Sequence, residues 1–186
     1  MAGEPDRQPA LETARLTIRP LREADHEPLY DVASDPMVWE QHPMHDRWRR
    51  EVFDGFFDAS LASGGGLAVM RKSDERIVGH SRYGRYDAEE GGAIEIGWTF
   101  LSCECWGRGL NHELKRAMLD HALAHVARVD FRVSETNYRS RQALEAIGAV
   151  RDPSRYDLDR YQGRRVVQLY YTIDRESFAS GPLASV

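Results

Sequence analysis

Alternating apolar and polar residues predict several β-strands along this chain of 186 residues. The clearest run is 93–101, in which Ile94, Ile96, Trp98 and Phe100 occupy every second position. Because successive side chains of a strand point to opposite faces of its sheet, this pattern indicates a strand with one buried face. Further strands are predicted at 15–21, 67–71, 77–86 and 129–134 and at two places near the C-terminus, one of them 166–173.

Apolar residues at helical spacing predict helices between these strands. Within 47–62, Trp48, Val52 and Phe56 recur every four residues, which places them on one face of a helix. Other helices are predicted at 23–34, about 110–127 and 137–147, whereas two prolines favour an irregular segment at 35–45.

Helices interspersed with strands, some of them in hairpins, are typical of a mixed sheet with helices on its faces. We therefore expect an α/β (α+β) fold with a mixed, mostly antiparallel central sheet of about six or seven strands flanked by helices. The length favours a single domain. We place it at 11–178, between a disordered leader (1–10) and a tail (179–186).

Composition and charge narrow the range of partners. No apolar run approaches the ~18 residues that a membrane span needs, and residues 1–10 lack the apolar stretch of a signal peptide. We therefore expect a cytoplasmic protein with no membrane partner. The formal net charge of −5 argues against binding along nucleic acid, which needs a basic surface, but is compatible with a cationic acceptor such as an amine.

The most informative unit is a turn in which Gly107 and Gly109 flank Arg108, where a buried strand is followed by a helix. Glycine permits positive φ, and a helix N-terminus offers unpaired N–H groups with a partial positive charge. The turn therefore predicts a site for a phosphate or diphosphate; a purely geometric role of the glycines is the alternative. The turn is not followed by the third glycine that a dinucleotide-binding fold has at this place, nor by the Gly-Lys-Ser/Thr of a P-loop.

Two sequence blocks carry a family resemblance. The run EIGWTFLSCECWGRG (95–109), then a helix, a strand and NYRSRQALEAIG (137–148), resembles the GCN5-related N-acetyltransferase (GNAT) superfamily. The match is closest to its ribosomal-protein N-terminal acetyltransferase branch and extends over about 11–178. It implies the acyl-CoA N-acyltransferase fold and transfer of an acetyl group from acetyl-CoA to an amine, with no metal.

The resemblance also implies where coenzyme A binds. In the family, the strand equivalent to 93–101 separates from the next strand, and the pantetheine arm lies in the gap. The following loop holds the diphosphate, although Glu104 stands where the family usually has Gln or Arg; Arg108 or the arginine-rich segment 139–165 could compensate. The expected CoA-binding residues are Phe100, Leu101, Ser102, Trp106, Gly107, Arg108, Gly109, Leu110, Asn111, Asn137, Ser140 and Arg141.

The reaction needs a base for the amine, a donor for the thioester oxygen and a way for the thiolate to leave. The resemblance implies a backbone N–H donor near 98–100. Glu95 is the candidate base, and the alternative is a solvent-facing or paired strand residue. Many family members place a tyrosine acid where this chain has Leu144. Tyr138, Tyr156 or water could replace it.

Other candidate sites have simpler interpretations. His121 and His125 are spaced like helix-borne metal ligands, but no third ligand is evident, so we expect no metal. Cys103 and Cys105 lack a histidine spaced to activate them and are expected to be reduced structural thiols.

The acceptor is expected to be a small-molecule or peptide amine. Trp39, His42, Met44 and Tyr86 are expected either to line its pocket or to pack beneath the first two helices. A longer acyl-CoA, a catalytically silent acyl-CoA-binding module and a structural domain without cofactor are the alternatives. A homodimer through a strand edge is compatible with the sequence but not required by it.

Overall fold

A single mixed sheet of eight strands organises the chain in the computed structural model, which describes residues 3–185. The strands are β1 (Leu11–Glu12), β2 (Leu16–Pro20), β3 (Gly66–Arg71), β4 (Arg76–Asp87), β5 (Ala93–Leu101), β6 (Arg128–Ser134), β7 (Val150–Tyr161) and β8 (Arg164–Asp174). Their order across the sheet is β1-β2-β3-β4-β5-β6-β8-β7. All neighbours pair antiparallel except β5 and β6.

Helices cover both faces of this sheet. They are α1 (His26–Ala33), α2 (Pro36–Trp39), α3 (Arg50–Ala62), α4 (Leu110–Leu123), α5 (Tyr138–Ala146) and α6 (Arg175–Ser180). One core packs α4 and α5 against the sheet, with Ile94 and Ile96 of β5 facing Leu114 and Met118. The second core packs α1 to α3 on the opposite face, where the buried Phe100 and the partly buried Trp98 are its contacts from β5.

Two irregularities interrupt the pairing of β4 with β5. Ser81 of β4 lies opposite both Trp98 and Thr99, so β5 has an extra residue there. Trp98 has a φ of +52°, which a residue with a side chain rarely adopts. The second irregularity adds a residue to β4 opposite Glu95. Such bulges turn side chains and peptide groups out of the regular ladder and are frequent beside active sites.

The strands β5 and β6 pair over only three residues. Ala93–Glu95 lies parallel to Arg128–Asp130, and beyond these residues β5 continues along β4 while β6 continues along β8. A gap therefore opens between β5 and β6 towards the loop before α4. The separation that the family resemblance implies is confirmed.

Most predicted elements are confirmed, with shifted ends. The sheet has one strand more than the upper expectation, because β1 is only two residues long and leaves no alternating pattern. Helix α3 begins at Arg50 rather than 47, since 46–49 forms a turn closed by Arg49 N–H and the Asp46 carbonyl. The segment 35–45 is not irregular throughout: Pro36 starts α2, where the ring costs no hydrogen bond.

The N-terminal leader was expected to be disordered, and its described part is not. Pro5 and Pro9 are buried, and the carbonyl of Asp6 lies 2.7 Å from Nε2 of His121. The tail is also attached, because Leu183 is buried in the main core. Residues 1–2 and 186 of these two predicted segments lie outside the described residues. No helix within 3–185 is long and apolar enough to cross a membrane.

Candidate active site

The loop between β5 and α4 contains two glycines in the left-handed region. Gly107 has a φ of +69° and Gly109 a φ of +77°. Any side chain would be strained there, so the backbone conformation itself favours glycine at both positions. Gly109 is the residue immediately before α4, and the loop surface at 107–109 is exposed.

Five consecutive backbone N–H groups of this loop have no acceptor among the described residues. Within residues 3–185, no hydrogen bond is donated by the N–H groups of residues 107–111. These amides include the start of α4, where the helix dipole adds a partial positive charge. The arrangement can bind a phosphate or diphosphate, as the turn predicts.

Arg15 braces this loop, although no local sequence pattern marks it as a functional residue. Its Nη1 donates to the carbonyl of Arg108 at 2.9 Å, and its Nε donates to Glu113 at 2.5 Å. Glu113 also accepts a hydrogen bond of 2.8 Å from Thr13. The chain before β2 therefore holds the first turn of α4. These two segments are far apart in the sequence, so no local sequence pattern predicts their contact.

The end of β5 is partly occupied by internal contacts. The Leu101 carbonyl accepts from Nε1 of Trp106 at 3.0 Å, and the Ser102 N–H donates to the carbonyl of Val78 at 2.8 Å. Phe100 and Leu101 turn their side chains into the two cores. The Leu101 carbonyl and the Ser102 N–H are therefore already paired within the chain, and the side chains of Phe100 and Leu101 are buried away from the gap.

The start of α5 lies across the gap from the loop. Asn137 is buried and caps α5, with its Oδ1 accepting from the Ser140 N–H at 3.2 Å. Arg141 donates to the carbonyl of Glu135 at 2.9 Å and to the hydroxyl of Tyr171 at 3.3 Å. Asn137 and Arg141 therefore have structural partners in addition to any role towards a ligand.

Arg139 connects the two sides of the gap, although in the sequence it stands out only as part of the arginine-rich segment 139–165. Its guanidinium carbon lies 4.1 Å from the ring centroid of Trp106. Its backbone N–H donates to Gln41 at 2.8 Å, and its side chain donates to the carbonyl of Met37 at 3.2 Å. The loop, α5 and the segment after α2 therefore meet at this side chain.

The peptide group at the β5 bulge is held by a buried histidine. Nδ1 of His80 lies 2.9 Å from the carbonyl oxygen of Trp98, and burial lowers the pKa of His80 to about 4. The ring is therefore neutral, and Nδ1–H is the donor because a carbonyl can only accept. In a trans peptide the next N–H, that of Thr99, points the opposite way. His80 thus fixes the direction of one N–H in the region expected to hold an oxyanion.

Glu95 lies on the sheet face opposite α4 and is ion-paired. Its Oε1 accepts from Nε of Arg132 at 3.2 Å, and Arg132 also donates to Asp157 at 2.9 Å. The guanidinium of Arg82 lies nearby, 4.0 Å from the ring centroid of Trp98. The carboxylate therefore lies three residues before Trp98 of the bulge, with the guanidinium of Arg132 as its direct partner.

The segment between α1 and α3 packs its aromatic residue inward. Trp39 is buried, and its ring centroid lies 4.9 Å from that of Phe100. Arg47 is also buried, with its guanidinium carbon 4.9 Å from the ring centroid of Phe56, and burial lowers the pKa of the neighbouring His42 to about 3. Of the two expectations for Trp39, packing beneath the first helices is the one observed.

Comparison with known proteins decides the family. A family model described as an acetyltransferase (GNAT) domain matches residues 15–150. The chain belongs to the GNAT family.

Solved structures share the fold of this GNAT chain. A GCN5-related N-acetyltransferase from Brucella melitensis superposes with a TM-score of 0.79 at 18% identity, over 92% of this chain and 80% of that one. An acetyltransferase from Agrobacterium tumefaciens str. C58 gives a TM-score of 0.66 at 25% identity, over 90% and 95% of the two chains. Mycobacterium smegmatis RimJ, in complex with CoA-disulfide, gives 0.71 at 18% identity, over 99% and 95%. The superfamily and fold class are confirmed; placement in the ribosomal-protein branch stays a prediction.

The residue in the family's acid position is apolar and packed. Leu144 is 8% exposed and belongs to the main core, so it offers no proton. Tyr138 and Tyr156, the alternatives from the sequence, are 61% and 60% exposed. A group that protonates a sulfur inside the gap has to be enclosed there. Neither tyrosine is enclosed in this way.

Two cysteines and two histidines are the remaining candidate nucleophiles and metal ligands from the sequence. Burial raises the pKa of Cys103 to about 11 and also raises that of Cys105, so both thiols are protonated at neutral pH. The rings of His121 and His125 lie 5.8 Å apart. No group of three potential metal ligands occurs in the described chain.

Replacing Gly109 should impair binding of CoA specifically. In Gly109→Ala, relief of the strained φ of +77° should rotate the loop amides, and the affinity for CoA measured by calorimetry should fall about tenfold. Gly163→Ala is the matched control, because Gly163 has the same φ and its Cβ would meet nothing within 4 Å. Both variants should lose about 1–2 kcal/mol of unfolding free energy. Equal CoA affinities in the two variants would contradict the site.

Proposed function

We propose that this chain transfers an acetyl group from acetyl-CoA to a primary amine by direct attack in a ternary complex. One observation carries the proposal: the gap between β5 and β6 leads to the five unpaired amides at 107–111. An acyl-pantetheine arm is extended and needs such a gap, and a diphosphate needs such amides. The proposed CoA-binding residues are those that the resemblance implies, with Arg139 and the brace Arg15 added.

The oxyanion is the first charge that the site must stabilise. The Thr99 N–H, directed by the hydrogen bond between His80 and the Trp98 carbonyl, is the proposed donor to the thioester oxygen. A donor fixed in advance stabilises developing charge without reorganising during the reaction. The strained φ of Trp98 is consistent with this role, because strain is retained where the surrounding structure requires it.

Glu95 is the proposed base. Its pairing with Arg132 orients the carboxylate, and 19% of its side chain is exposed. An oriented carboxylate beside the bulge can accept the proton of the amine directly or through one water.

The acceptor is proposed to enter between the segment before α3 and the turn joining β7 to β8. Asp46 joins these two parts, because it accepts hydrogen bonds from the hydroxyl of Tyr161 at 2.5 Å and from Gln162 at 2.8 Å. A carboxylate at this entrance, together with the negative net charge, favours a cationic amine over an anionic acceptor. A protein N-terminus and a small amine both fit this description.

A panel assay tests the proposal. Purified protein is incubated with acetyl-CoA and peptides with free N-termini, polyamines, amino sugars or amino acids, and thiol release and acetylated products are measured. We expect one class of amine to be acetylated well above the hydrolysis background. Binding of CoA without turnover of any amine would instead support a second candidate, a catalytically silent acyl-CoA-binding module. The ion pair of Glu95 and the apolar Leu144 are the observations that favour it.

A homodimer is a further proposal, supported by the edge strand β7. Val150, Tyr156 and Leu158 on this strand are 63%, 60% and 55% exposed. Light scattering at several concentrations measures the oligomeric state.

Charge reversal of Arg108 should weaken use of acetyl-CoA. The side chain of Arg108 is exposed and makes no ion pair among residues 3–185, so it is free to meet phosphate oxygens. In Arg108→Glu, the KM for acetyl-CoA should rise about tenfold with little change in kcat. Arg116→Glu applies the same charge change farther along α4 and should leave KM near the wild-type value. If the KM for acetyl-CoA rose by the same factor in both variants, the cause would be the changed charge of the protein and not a contact between Arg108 and phosphate.

Removing the charge of Glu95 should slow the chemical step. Glu95→Gln keeps the side-chain shape but removes the base, so kcat should fall about 10²-fold or more with the KM for acetyl-CoA maintained. Glu51→Gln on the exposed side of α3 is the matched control. Wild-type kcat in Glu95→Gln would show that Glu95 is only a structural partner of Arg132.

A further inference from the structure

A buried lysine contacts both strands that border the gap. Nζ of Lys115, on α4, donates to Oγ1 of Thr99 at 2.6 Å and lies 5.7 Å from the ring centroid of Phe131. Thr99 belongs to the bulge of β5, and Phe131 is the first residue of β6 beyond its pairing with β5. The amine is therefore located where the two strands have separated.

Lys115 has no counter-ion among the residues that the structure describes. Within the described chain its one hydrogen-bond partner is the Thr99 hydroxyl, which itself lies 2.8 Å from Oγ of Ser81. The residue is 5% exposed, and burial alone lowers the pKa of its amine to about 7. An unpaired buried cation is costly, whereas methionine would fill similar space without that cost. Stability therefore gives no reason for an amine at this position.

The charged groups of the neighbouring strands lie on the other face of the sheet. Tyr83, Ile96 and Phe131 face α4 in the main core, and side chains alternate along each strand. The ionisable residues that consequently face away from Lys115 are His80, Arg82, Glu95, Asp130 and Arg132. The field at the amine is set by burial and by whatever enters the gap.

Thiol departure lacks a donor among the residues so far assigned. Leu144 is apolar, and Tyr138 and Tyr156 are exposed at the surface. We propose that Lys115 donates a proton to the sulfur of CoA when the acetyl group is transferred, an inference that rests on the proposed function. A bond forms between the amine nitrogen and the acetyl carbon, and the C–S bond breaks with its electron pair on sulfur. Sulfur takes the proton from the Lys115 ammonium, Glu95 takes the proton lost by the acceptor nitrogen, and solvent restores both groups.

The amine is suited to this step by its titration range. A general acid works best when its pKa is near the working pH, and about 7 meets that condition whereas an ordinary lysine does not. A thiolate formed beside it would also gain an opposite charge in a buried site.

Equilibrium titration of the bound thiol tests the contact without turnover. Ultraviolet absorbance of the thiolate is followed against pH for CoA bound to wild type, Lys115→Met, Lys115→Arg and the control Arg116→Met. In wild type, the pKa of the bound thiol should lie about one unit or more below that of free CoA. The shift should persist in Lys115→Arg and Arg116→Met and disappear in Lys115→Met.

Kinetics then separates proton donation from charge alone. In Lys115→Met, kcat should fall about 10²-fold with the KM for acetyl-CoA unchanged. The loss of wild-type kcat as pH rises through the lysine pKa should also disappear. Lys115→Arg should remain slow, because guanidinium does not release its proton in this range. Full activity of Lys115→Arg would overturn proton donation.

The outcomes also distinguish this inference from the proposed function. If wild type binds CoA and acetylates an amine but Lys115→Met has the same thiol pKa and kcat, Lys115 is not the donor and only the inference fails. If wild type binds no CoA, the proposed function fails. Thermal unfolding checks that Lys115→Met folds, and removal of an unpaired buried cation should leave its midpoint equal to or above that of wild type.

Discussion

The early end of the pairing between β5 and β6 is the constraint on which the rest of the structure depends. A parallel pair usually continues along both strands, but here it stops after Glu95 and Asp130. The backbone groups of β5 beyond that point must find other partners or remain open, since buried polar groups are costly when unpaired. Some of them find partners, as the Leu101 carbonyl does in Trp106 and the Ser102 N–H in Val78, and beside this stretch a gap opens towards the glycine loop that precedes α4.

Several strained or costly features surround this gap. In the part of the chain that the structure describes, Trp98 adopts a positive φ, His80 is buried with Nε2 unpartnered, and Lys115 is buried without a counter-ion. Each would lower stability, and each lies on β4, β5 or α4, within hydrogen-bond reach of the bulge or at it. Their concentration at one place indicates a part of the molecule shaped for chemistry, while the two aromatic and aliphatic cores supply the stability elsewhere.

Local patterns in the sequence were sufficient for the framework. The alternation of 93–101 predicted β5, and Gly148, with a φ of +89°, marks the end of α5 as expected. The glycine turn predicted the unpaired amides because φ and helix position are local properties. The two-residue β1, the attached leader and the exact start of α3 were missed, because they depend on contacts with distant segments.

The same distinction between local patterns and contacts with distant segments holds within the site. Gly107 and Gly109 could be proposed from the sequence because the role proposed for them lies in the backbone, and Glu95 because of its place on a patterned strand. Arg15, His80, Arg139 and Lys115 were missed, since each acts through a partner far along the chain, such as Arg108 for Arg15 or Thr99 for Lys115. Helical periodicity even misleads for Lys115, because a lysine beside Leu114 looks like an ordinary surface residue in sequence.

A crystal structure of the protein with acetyl-CoA tests the central claim most directly. The account predicts diphosphate oxygens within hydrogen-bond distance of the N–H groups at 107–111, and the pantetheine arm between β5 and β6 with its sulfur next to the bulge at Trp98. A gap that remains closed by its own side chains, with the ligand held on another surface, would contradict it.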